Sequence, residues 1–145
     1  MGLNPNQTQF PRPVSFQDAR SAREWLAEEL GKRAFMAKYI IYFNQQWVGD
    51  HSEEWFESRG PLANQVVKQM EDAGVVVFAG GLEEEIDQAK GFDETGNLTA
   101  PITTKGEFLG GMTIIDVPSE DEANFWGAEI ARACGWPQEV RRFKD

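Results

Sequence analysis

The stretch "FLGGMTIIDVPSEDEANFWGAEIARACG", Phe108 to Gly135, holds a strand, a helix and the join between them. "MTIIDV" is apolar and β-branched, the composition of a strand. Pro118 interrupts it, and Ser119 followed by Glu122 has the spacing of a capping box that opens a helix. Ala123, Trp126, Ile130 and Ala133 then recur on one side at helical spacing, and Gly135 ends the run. A strand passing straight into an amphipathic helix is the unit of a layered α and β architecture.

The same unit occurs upstream. "KYIIYF" (Lys38 to Phe43) is a strand, and Ser52 opens a helix in which Gly60-Pro61 is expected to make a break or kink. Leu62, Val66, Met70 and Ala73 continue that helix on one face as far as Gly74, and "VVVFAGGL" (Val75 to Leu82) is the next strand. "QAKGFDETGNLTAPIT" reads as a hairpin turning at Asp93 to Gly96. "QEVRRF" (Gln138 to Phe143) supplies the last strand. The order β-α-β, hairpin, β-α-β fits an α+β class of ferredoxin-like, split βαβ type with an inserted hairpin.

Residues 1–35 stand apart from this pattern. The first fourteen are rich in Pro, Asn and Gln and read as an extended arm. "SFQDARSAREWLAEELG" is an amphipathic helix capped by Ser15, with Phe16, Ala19, Ala22, Leu26 and Leu30 on one stripe, Trp25 beside it, and Gly31 as its stop. The core is expected to begin at Met36 and run to residue 145.

Three strands of that core are continuous apolar runs, as in sheets buried on both faces. Two helices in this plan cover one face only. A second copy of the chain or the N-terminal helix must cover the other, and a closed homodimer is the commoner solution. That helix is otherwise left to dock on the partner subunit or on another protein.

Composition narrows the partners. With 14 basic and 24 acidic side chains the net charge is −10, distributed as +1 over residues 1–35 and −11 over the rest. So acidic a surface repels phosphate backbones and anionic lipid, which argues against nucleic acid and membrane partners. No apolar run is long enough to span a bilayer and no leader pattern opens the chain, so a cytoplasmic location is expected. The single Cys134 suits a reducing compartment.

From Met36 onward the chain resembles the YCII-related family, in its DGPF-motif branch. The resemblance rests on "MAKYIIYF", "AGVVVFAGGL", "EFLGGMTIIDVPSEDEANFW" and the closing "EVRRF", and covers about residues 36–143. It implies a ferredoxin-like fold pairing as a dimeric α/β barrel, with a His–Asp pair in a cleft in one branch. The Asp-Gly-Pro-Phe signature falls here on Thr99, Ala100, Pro101 and Ile102, so only its proline is present. Positions that are usually acidic and basic carry Thr104 and Gly106, while Glu107 remains.

Candidate site residues are few. His51, the only histidine, stands between Asp50 and the Ser52 cap. It is either a loop histidine or an acid–base group oriented by Glu107 or another carboxylate. Trp47, Trp55 and Trp126 either belong to the core or line an apolar ligand cleft. The acidic run "LEEEID" (Leu82 to Asp87) lacks the glycine-punctuated spacing of a calcium loop, and one His with one Cys makes no transition-metal set. Neither a phosphate loop, a dinucleotide fingerprint nor a nucleophile elbow occurs, so no metal and no cofactor is expected. Two functions stay open: a dimeric small-molecule-binding or assembly module without catalysis, and a cofactor-independent enzyme working through His51.

Overall fold

The computed structural model describes residues 16–103 and 106–145. The chain divides between Phe35 and Met36 into two compact units. In the first, helix α1 spans Phe16–Ala34. It runs through Gly31, the expected stop, because the local cost of glycine is small and Lys32, Arg33 and Ala34 are good helix formers. Trp25, Leu26 and Leu30 are exposed. The expected arm, the Ser15 cap and Thr104 lie outside the described residues.

The second unit contains β1 (Ala37–Asn44), α2 (Glu53–Asp72), β2 (Val76–Gly81), β3 (Gly91–Phe92), β4 (Leu98–Thr99), β5 (Leu109–Val117), α3 (Glu120–Cys134) and β6 (Glu139–Arg142). Four strands form one sheet in the order β2-β5-β1-β6, every neighbouring pair antiparallel. This α+β arrangement is compatible with the ferredoxin-like plan. β3 and β4 pair separately as a two-stranded ribbon, closed by a turn in which Asp93 Oδ1 accepts from the amides of Thr95 and Asn97.

Local chemistry sets both core helices. Ser52 Oγ accepts from the Trp55 amide and Ser119 Oγ from the Glu122 amide, each satisfying a donor that the first turn leaves free. Acidic residues fill both first turns, where they suit the positive end of the helix dipole. Gly135, at φ 89°, closes α3 in the left-handed region, and Gly74, at φ 74°, follows α2. Pro61 lies inside α2, which is assigned as a single helix of 20 residues rather than two. Burial of Val66 and Met70 beyond the proline offsets its lost hydrogen bond. Leu62, expected on the buried face, is exposed, and Val67 packs against the core instead.

Both core helices lie on one face of the sheet. Tyr39 and Ile41 of β1 and Ile115 and Val117 of β5 meet Val66 and Met70 of α2 and Ala123, Ile130 and Ala133 of α3. A Cβ on Gly127 would stand 2.5 Å from Val140 Cγ2, so α3 descends closely onto β6. The opposite face carries Ile40, Tyr42, Met112 and Ile114, all half-buried, and Phe78, which is 56% exposed. Lys38 and Asp116 pair across it at 3.8 Å. A bulge in β2 leaves Val77 as an extra residue beside Phe78, itself 52% exposed.

Candidate functional site

At the end of the sheet where β1 leaves and β5 enters, glycines replace side chains. The ring of Phe43 lies over Gly110 and Gly111: a Cβ on either would come within 2.8 Å of it. Gly110 is also the residue skipped in the β1–β5 register. Beside this layer, between the sheet, α2 and α3, a cleft of about 300 Å³ opens. Its walls include Phe43, Val67 and Ile130, with Ala63, Ala79 and the backbone of Gly80, Gly81 and Met112 leaving the space.

The cleft has four polar points and no charged side chain. Thr113, in register with Ile41 and Ala79 on the helix-facing side, is 7% exposed and lines the cleft. Gln138 lines the cleft, and its buried Nε2 has no acceptor. Asn64 and Cys134 complete the lining. Burial pushes the Cys134 thiol above its ordinary value, with the nearby Arg59 charge acting in the opposite sense. That thiol is therefore protonated and weakly nucleophilic at neutral pH.

An aromatic cluster occupies the entry to α2. His51 stacks on Trp55 with ring centroids 3.6 Å apart and planes 14° apart, while its Nε2 lies 3.0 Å from the Val48 carbonyl oxygen. Trp55 continues toward Trp136, whose ring makes an edge contact with Phe43 at 5.2 Å. Arg59 sits over the Trp55 ring at 5.1 Å, a cation–π distance. Its Nε and the indole Nε1 of Trp136 are buried without acceptors.

The residues singled out from the sequence do not converge. Glu107 accepts from Asn44 Nδ2 at 3.0 Å and from Trp47 Nε1 at 3.1 Å, and it makes no hydrogen bond with His51. Trp47 lies near Tyr42, Trp55 stacks with His51, and Trp126 contacts Phe125 while packing on the core. None of the three lines the 300 Å³ cleft. Among the described residues no cluster of three His, Cys, Asp or Glu side chains could hold a metal ion. Thr113 and Gln138 were missed: a threonine inside the apolar run "MTIIDV" was the one signal available, and Gln138 offered none. Among the described residues no helix is long and apolar enough to cross a membrane. No family model and no curated protein matches the chain.

Proposed function

We propose that residues 36–145 form a dimeric, non-catalytic module of the YCII-related type that binds a small molecule, two copies pairing across the open face of the sheet as an α/β barrel. The carrying observation is the apolar face of Ile40, Tyr42, Phe78, Met112 and Ile114, which no core helix covers. The four strands, from four to nine residues long and about 4.8 Å apart, span roughly 440 Å² in projection. Side-chain relief carries that toward the roughly 800 Å² per partner of a stable interface. A twofold axis would set each such face against its own copy. The free Cys134 suits a cytoplasmic location.

Sedimentation equilibrium tests the pairing. The full chain is expected to have twice its chain mass at micromolar concentration, and Phe78→Glu with Ile114→Lys to have the mass of one chain with unchanged far-ultraviolet dichroism. The same measurement on residues 36–145 separates pairing from cover by α1. A monomeric wild-type protein would overturn the proposal. The enzyme reading ranks second because His51 meets a carbonyl and an indole rather than an orienting carboxylate.

A further inference from the structure

The cleft beside the glycine layer is built for a particular kind of molecule. A cavity of roughly 150 Å³ holds benzene, so about 300 Å³ corresponds to about a dozen non-hydrogen atoms. Apolar side chains and small residues form most of the wall, and no Asp, Glu, Lys, Arg or His lines it. A charged ligand would leave water without a counter-charge, at a cost that neutral ligands avoid. Thr113 lines the cleft and is more than nine-tenths buried, so its hydroxyl offers a donor and an acceptor at the wall. The Gln138 carboxamide has a buried Nε2 with no hydrogen-bond partner, so the protein alone leaves that bond unmade. Its last torsion is broad and roughly two-fold, so the amide N–H can turn toward the cleft when an acceptor arrives.

Resting on the small-molecule reading above, we propose that the cleft between α2, α3 and the glycine end of the sheet binds an uncharged aromatic or alicyclic molecule of about a dozen non-hydrogen atoms, its single hydroxyl or carbonyl oxygen held by Thr113 Oγ1 and the Gln138 carboxamide. The ring system lies against Phe43, Val67 and Ile130. The ligand takes no covalent bond from the protein, since Cys134 is the only thiol and is held protonated.

The test is a titration of the isotopically labelled full chain with 1-naphthol and with 1-naphthoate, followed by the amide resonances of Ala79 to Gly81 and Thr113. 1-Naphthol is expected to shift these resonances saturably, and 1-naphthoate to bind at least tenfold more weakly. Thr113→Val keeps the shape and removes the hydroxyl; it should weaken 1-naphthol binding about three- to tenfold, the worth of one hydrogen bond. Ala63→Phe, at the wall from α2, should abolish the shifts by filling the space. Equal or tighter binding of 1-naphthoate at the same amides overturns the uncharged class while leaving a binding module in place. An unchanged affinity in Thr113→Val overturns the role of the hydroxyl. If neither probe moves any resonance of the cleft, both this inference and the small-molecule reading fail.

Discussion

Gly135→Ala is expected to destabilise the core far more than Gly74→Ala, although both glycines follow helices and both have positive φ. Gly74 has nothing within 4 Å of the position a Cβ would take, so its substitution carries only the backbone cost of a left-handed alanine, about 1 kcal/mol. At Gly135 the same Cβ would stand 2.7 Å from Trp55 Cζ2, 3.0 Å from Cη2 and 3.2 Å from Arg59 Nε. The indole cannot simply swing away, because His51 stacks on it and Arg59 sits over its ring. Overpacking of this kind adds about 1–3 kcal/mol, giving about 2–4 kcal/mol in all. With a urea slope of about 1–2 kcal/mol/M, the midpoint should fall by about 2 M for Gly135→Ala and by less than 1 M for Gly74→Ala. Trp55→Ala in the Gly135→Ala background removes the steric part, so the two substitutions should couple by more than about 1 kcal/mol. Equal midpoints for the two glycine variants, or no coupling to Trp55, would refute the reasoning.

The Cys134 thiol is held above its ordinary value by burial, so the folded chain keeps that proton to higher pH than the unfolded chain does. Its stability contribution is complete below the unfolded thiol's pKa and is lost as pH rises through the folded one. Urea midpoints measured from pH 7 to pH 10 should therefore drop more for the wild-type protein than for Cys134→Ala; parallel curves would contradict this. His51→Ala should cost no more than about 1.5 kcal/mol, the scale of one aromatic contact. It should also change Trp55 emission while leaving the Ser52 cap intact. A loss of several kcal/mol in thermal unfolding would show that His51 has a structural role beyond its stacking on Trp55.

Features governed by neighbours in the chain were legible in the sequence. Ser52 and Ser119 open the core helices, and Gly74 and Gly135 close them, because caps depend on three or four consecutive residues. Features decided by tertiary burial were not. Pro61 looked like a break because its local cost is about 3 kcal/mol, but Met70, with no exposed surface, holds the far half of α2 in the core. Gly31 misled for a local reason, since glycine costs little inside a helix and good helix formers follow it. The site was less legible still. His51 was identifiable as a residue before a cap, whereas its contacts with Val48 and Trp55 depend on how the loop after β1 turns. The tryptophans share a residue type and nothing in the sequence separates Trp47, beside Glu107, from Trp126, against the core.

The bulge at Val77 bears on how the chain behaves before it is fully folded. β2 is an edge strand, and "VVVFAGG" is apolar, uncharged and free of proline, the composition from which cross-β stacks grow. A flat edge of that composition would template the next chain along its unpaired backbone. The extra residue breaks the ladder between Val76 and Phe78 and adds local twist, so another strand cannot continue the hydrogen-bonding in register. Val77 is thus an irregularity that guards solubility: it leaves the apolar face free to associate while denying the edge to aggregation.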